Sequence, residues 1–295
     1  MNRRRALEIL AYRHRSSERF YITGTVESWV MNSDTEPATI KYSIDGGNTY
    51  ISVPCQNNAF EIDINPLSLS TMAQMFEAKE GSLAGKNNFG ITSLDFSHAG
   101  KFNNVTNTWR SFANLSSLTS IVIPDLSQAS LTDCGQMFSG CILLTSLDLT
   151  KLNTTKITAS VTEHGLATLC FVAIDAEKSP NGGNLETVIL PQFPNSAYVG
   201  SSPFGGQLKL KNVSFASWVP QNEGIKTKFY IQSAALTEAS IQNILSAIDG
   251  EVVVPSTLGG KNIGFSQSVM NIINGGFMLA EKEVLENSGW TFNII

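Results

Sequence analysis

Charge is scarce in this chain. Asp, Glu, Lys and Arg supply only 15% of its 295 residues, where an ordinary soluble domain draws about a quarter from them. Ser, Thr, Asn, Gln and Gly take over the contact with water. Histidine is scarcer still: His14, His98 and His164 are the whole supply, and they form no recognisable constellation. No HExxH, P-loop, GxGxxG or GxSxG text occurs, which removes the enzyme classes those motifs mark. The four cysteines, Cys55, Cys134, Cys141 and Cys170, form no CxxC pair. They read as small apolar thiols packed in a core, with a disulfide or a metal site as the alternative. No run of 18 apolar residues exists, so no membrane span is expected. Nothing in the text asks for a cofactor.

Arginine is nearly absent outside one end. Six of seven arginines, Arg3, Arg4, Arg5, Arg13, Arg15 and Arg19, lie in the first twenty residues. With Glu8 and Glu18 that segment carries 6 − 2 = +4, so residues 21–295 carry −5 − 4 = −9. The apolar stretch Ala6–Tyr12 is short and broken by Glu8, and His14-Arg15 stands where a cleavage site would be, so it does not read as a secretory signal. Leu7, Leu10 and Ala11 share one helical face. Such a helix is marginal alone in water and needs a partner surface. Three readings compete: packing on its own chain, docking on another protein through Arg–carboxylate pairs, or contact with nucleic acid or a membrane surface. The last is disfavoured by the acidic remainder.

What the chain has in plenty is one phrase, apolar-x-x-apolar-x-apolar. It occurs at Ile91-Leu94-Phe96, Leu118-Ile121-Ile123, Leu144-Leu147-Leu149, Leu185-Val188-Leu190 and Leu210-Val213-Phe215, with starts 27, 26, 41 and 25 residues apart. A period in the twenties predicts an α/β repeat, a leucine-rich-repeat solenoid in which each unit adds a strand to a parallel sheet. Phe112, Phe138 and Phe204 each precede a phrase by six positions. Asn114, Gly140 and Gly206 follow two places later, where a left-handed residue would turn the chain into the strand.

The text Gln136-Met137-Phe138-Ser-Gly-Cys141 through Leu144-Thr-Ser-Leu147-Asp-Leu149-Thr-Lys-Leu152 resembles the leucine-rich repeats of BspA-type proteins. Met72-Ala-Gln-Met75-Phe76 looks like a half-unit opening the array. The resemblance covers roughly residues 70–230. An insertion of 41 − 26 = 15 residues follows Leu149 and contains His164 and Cys170. The segment from Leu236 to Gly289-Trp290-Thr291 is similar to one that follows such repeats in surface proteins of gut bacteria and in structural proteins of their phages.

The expected organisation is a basic helix or tether (1–19), a small β-sandwich-like module (20–66), the solenoid (67–232) and an α/β cap (233–295). Alternating β-branched and aromatic residues place four strands at 20–26, 38–44, 49–53 and 59–64, with turns at Asp45-Gly46-Gly47-Asn48 and Asn57-Asn58. Asp45, Asp63 and Asn65 read as turn and strand-edge residues, with calcium binding as the sharper alternative. Thr237 is placed as an N-cap ahead of Ile241, Ile244, Leu245 and Ile248, and a second helix is expected over 278–287 with Lys282 and Glu286 at i, i+4.

In each phrase the fourth and sixth residues face inward, so the third and fifth face out. The candidate binding column is therefore Ser93, Asp95, Ser120, Ser146, Asp148, Thr187 and Asn212, beside the six arginines; an ordinary solvated face is the plain alternative. Asp95 and Asp148 flank the strand of Val122, about 10 Å apart by strand spacing, which does not match a retaining carboxylate pair; an inverting pair fits the spacing, though nothing else points to one. The expected function is non-enzymatic: a structural or adhesive protein, most simply a phage virion component (collar, fibre or spike) in an oligomeric assembly. Its N-terminal segment would meet other virion proteins, and its repeat surface a host glycan or protein. The rival readings are a bacterial surface adhesin of the same repeat type and a carbohydrate-active enzyme using the insertion near His164.

Overall fold

Residues alternating between apolar and polar build the first strands, and the side buried by that alternation fixes where they pack. The computed structural model describes residues 19–31, 39–78, 86–154, 182–191, 204, 206–215, 229–248 and 261–295. Strand β1 (Tyr21–Val26) buries Ile22, Gly24 and Val26 and turns Tyr21, Thr23 and Thr25 outward. Strands β2 (Thr39–Tyr42) and β3 (Ile51–Pro54) form an antiparallel pair. Strand β4 (Ala59–Asp63) returns antiparallel along β1 after Asn57 and Asn58, both at positive φ (51° and 61°). Asparagine tolerates that conformation, and the tight turn requires it.

The recurring phrase supplies β5 (Ile91–Asp95), β6 (Ser120–Val122), β7 (Ser146–Asp148), β8 (Thr187–Leu190) and β9 (Asn212–Phe215). Neighbouring copies pair parallel: Leu94 faces Ile121, and Val188 faces both Leu147 and Val213. They do not join into one ribbon. β5 gives its other edge to antiparallel β1, so one sheet runs β4-β1-β5-β6 and a separate one runs β7-β8-β9.

The expected leucine-rich-repeat solenoid with a separate β module is therefore corrected. The chain is a mixed α/β protein with several small sheets, and strand pairing crosses the expected boundary at residue 66. The phrase dictates a local strand and its inward face, but pairing is non-local. A three-residue strand such as β6 or β7 offers too few hydrogen bonds to enforce a continuous ladder.

Between the strands, turns stack rather than helices. Phe76, Phe112 and Phe138, all fully buried, lie ring on ring at 6.2 and 5.2 Å, with Phe96 edge-on to the first two. Such offset aromatic contacts add to the area the rings bury. Asn114, Gly140 and Gly206 have φ of 62°, 79° and 75°, as the sequence predicts. A polar residue five places before each ring opens the turn: Thr71, Asn107 and Asp133 accept the N–H of Ala73, Trp109 and Gly135. Buried Asn88 links β2 to this stack, exchanging two hydrogen bonds with the Lys41 backbone and donating to Phe76 O.

The C-terminal part adds β10 (Phe229–Ile231), α1 (Glu238–Ser246), β11 (Asn262–Phe265), α2 (Gln267–Asn274), α3 (Leu279–Asn287) and β12 (Thr291–Ile294). Strands β10-β11-β12 form a parallel sheet. Thr237 caps α1, and Ile241, Ile244 and Leu245 face the core. An open strand edge invites pairing with other chains, and α1 covers that of β9. Ser240 Oγ accepts from Val213 N and donates to Lys211 O, and Asn243 donates to Val213 O. Lys282 and Glu286 pair at 2.8 Å. Among the described residues no helix is long and apolar enough to cross a membrane.

Candidate binding face

The outward side chains gather on two sheets. On the first, the register sets Glu61, Thr23, Asp95 and Val122 in one row and Ala59, Thr25, Ser93 and Ser120 in the next. On the second, Ser146, Thr187 and Asn212 share a row, as do Asp148, Ile189 and Ser214. Ser120, Ser146, Asp148 and Asn212 are exposed; Ser93, Asp95 and Thr187 are half-buried. The expected column is thus split into a group holding Ser93, Asp95 and Ser120 and a group holding Ser146, Asp148, Thr187 and Asn212. Asn212 donates to Thr187 Oγ1 at 3.3 Å.

Asp95 and Asp148 have structural work. Asp95 accepts the N–H of Ser97 at 2.7 Å and Asp148 that of Thr150 at 2.9 Å. Both close the turn that leaves the strand. Partial burial pushes the Asp95 carboxyl up, but the Ser97 N–H and hydroxyl, with His98 and Lys151, outweigh it and hold the group below its ordinary value. Asp125, three residues beyond the end of β6, makes the same kind of turn with Ser127.

Between β4, β1 and β5 the face hollows into an open groove of about 510 Å³, with Thr23, Thr25, Gln56, Glu61 and Ser93 among its lining residues. Thr25 Oγ1 lies 2.7 Å from Thr92 Oγ1 and 2.6 Å from Ser93 Oγ, a chain of hydroxyls along one wall. The floor depends on Gly24. A Cβ there would stand 2.3 Å from the Phe60 ring and 2.7 Å from Ser93 O. Phe60 is buried and the carbonyl belongs to the neighbouring strand, so neither yields cheaply. Gly24→Ala is expected to destabilise by about 1–3 kcal/mol, the usual cost of overpacking, read as a lower urea midpoint with an unchanged slope.

Arg19 sits at the rim of the same face. Its guanidinium meets Glu61 at 2.7 Å and Asp63 at 2.5 Å, and it lies 5.5 Å from the centre of the Tyr21 ring, which stacks on His98. Of the six arginines expected to form a handle, this one is engaged by its own chain. Arg3, Arg4, Arg5, Arg13 and Arg15 lie outside the described residues, as do His164 and Cys170. Cys55, Cys134 and Cys141 are buried. Burial pushes the Cys141 thiol up to about 12, and its S–H donates to Phe112 O.

Of the calcium candidates, Asp63 pairs with Arg19 and Asn65 caps a short 3-10 turn at Leu67. Asp45 organises the β2–β3 loop, accepting the hydroxyl and N–H of Thr49 and the Ser43 hydroxyl. The Thr49 hydroxyl is the largest cause of its low value, about 2 against an ordinary 3.8. A depressed carboxyl contributes stability that is present above the unfolded value and lost as pH falls through the folded one. The loop should therefore loosen as pH falls from about 4 to about 2. Carboxyl-detected NMR titration should place the midpoint near 2, and Thr49→Val should move it upward.

The constellation that sequence reasoning missed lies across the stacked turns. Buried Glu77 accepts from Arg110 at 2.6 Å and from Gln74 at 2.5 Å, and Arg110 donates to Gln136 at 3.1 Å. The signal was present: Arg110 is the only arginine after residue 19. Among the described residues no group of three or more His, Cys, Asp or Glu is placed to hold a metal ion.

Scans against protein-family models, curated proteins and solved structures return no match to this chain.

Proposed function

We propose that this chain is a non-enzymatic structural or adhesive protein, a phage virion component of the collar, fibre or spike kind, attached through its basic N-terminal segment. The wording it shares with BspA-type repeat text suggests that setting. One observation carries the recognition role: small hydroxyl and amide side chains stand in register across the outward faces of both parallel-strand groups, while the inward faces are packed. Such a face meets another macromolecule through many weak, directional contacts rather than one deep pocket. The turn-closing duties of Asp95 and Asp148 also favour a recognition surface over carboxylate chemistry.

Arg19 sharpens the test of the attachment segment. Deleting residues 1–18 keeps its clamp on Glu61 and Asp63, so the truncated chain should melt at the full-length temperature. It should, however, be missing from purified particles by mass spectrometry. Normal incorporation would refute the attachment role. Full-length protein recovered from bacterial surfaces and never from particles would refute the virion assignment in favour of a surface adhesin.

A further inference from the structure

We infer that the groove between β4, β1 and β5 is a binding site for a short neutral oligosaccharide. This rests on the reading of the outward faces as recognition surfaces and names a place and a ligand class for one of them. The argument begins with the lining. Thr23, Thr25 and Ser93 bring hydroxyls that both donate and accept, and Gln56 brings an amide that does the same. Sugar hydroxyls need partners of that double character. A wall of lysines or of carboxylates would offer only one direction of hydrogen bond.

Charge points the same way. Among the described residues Glu61 is the one charged side chain that lines the groove, and Arg19 already holds its carboxylate at 2.7 Å. An anionic ligand would meet a carboxylate at the wall, and a cationic one would have to displace a formed ion pair. A neutral ligand does neither. Pro54 and Ala59 line the groove beside these polar groups and offer apolar surface to the C–H side of a sugar ring. The volume of about 510 Å³ falls within the roughly 300–1,000 Å³ of small-ligand sites. Gly24 belongs to the same construction, because the absence of its side chain lets the Phe60 ring and the Ser93 strand close beneath the groove.

The test uses the full chain and soluble neutral gluco-, manno-, xylo- and N-acetylglucosamine oligosaccharides. NMR shifts of Thr23, Thr25, Gln56 and Ser93 should move with at least one series and not with sialylated or sulfated sugars. Gln56→Ala should weaken that binding about fivefold, the loss of one net hydrogen bond. Thr23→Trp, which fills the groove from an outward position, should abolish it. Gln267→Ala on α2 should leave it unchanged. Perturbation of these residues by acidic sugars alone, by none of the sugars, or equally in folded Thr23→Trp protein would overturn the inference. Particle incorporation of the same variants separates the two readings. Normal incorporation without sugar binding sinks the groove alone, whereas sugar binding in a chain never found in particles sinks only the virion assignment.

Discussion

Phe112→Ala is expected to cost about 3–5 kcal/mol, the range for emptying a large aromatic site in a core. The ring is fully buried between Phe76 and Phe138, at 6.2 and 5.2 Å, and stands edge-on to Phe96 at 5.7 Å. A cavity is cheapest when its walls can fall inward, and these walls are held. Phe76 N donates to Ser111 O and Phe112 N to Met137 O, so each ring is fixed by its own backbone contacts. Left-handed residues at Arg110 and Asn114, two places either side, fix the turn as well. The removed ring therefore leaves a void that its neighbours cannot fill. Urea unfolding should show a much lower midpoint with an unchanged slope. Phe112→Leu, which keeps most of the volume, should cost distinctly less. A loss under about 1 kcal/mol for the alanine variant, the ordinary centre of point-mutant effects, would mean that the stack is not the organising element.

The same stack shows what can be read from the chain and what cannot. The rings of Phe112, Phe138 and Phe204 and the left-handed residues two places on are local features, and residue type alone reveals them. The inward face of each strand is local too, since side chains alternate with a period of two. Which strand lies beside which is not local. Nothing in Ile91–Asp95 announces that β1, about seventy residues earlier in sequence, will take its free edge and end the parallel run. The short C-terminal strands β10 and β11 and helix α2 went unread for a related reason: Phe229-Tyr-Ile231 and Asn262–Phe265 are too brief to show a period. By contrast Thr237 and the Lys282–Glu286 pair obey rules that act over three or four residues.

The candidate face divides along the same line. Outward-facing Ser93, Ser120, Ser146, Thr187 and Asn212 followed from alternation. The turn-closing roles of Asp95 and Asp148 were legible only in the Ser97 and Thr150 that follow them, since an Asx turn acts on the residue two places on. Packing of Arg19 on its own chain, one of three readings of the basic segment, could not be singled out because its partners, Glu61 and Asp63, lie more than forty residues away. Gln74, Arg110 and Gln136 were harder still. All three adopt positive φ, at 55°, 54° and 53°, which residue preference does not suggest. They are aligned by the stacking of successive turns, and that alignment carries Arg110 to Glu77.

That pair should yield the second large effect. Glu77 has no exposed side-chain surface, and Arg110 is 27% exposed. Removing the cation takes an ion-pair partner from a buried carboxylate, which typically costs about 3–5 kcal/mol. Water reaching the outer part of Arg110 places Arg110→Met at the lower end, about 3 kcal/mol. Glu77→Gln should cost less, about 1–2 kcal/mol, because a carbonyl oxygen still accepts from the guanidinium. The double variant should lose less than the sum, with a coupling of about 1–3 kcal/mol, since the carboxylate and the guanidinium that pairs with it are then removed together. Additive costs would mean that the two side chains touch without supporting each other.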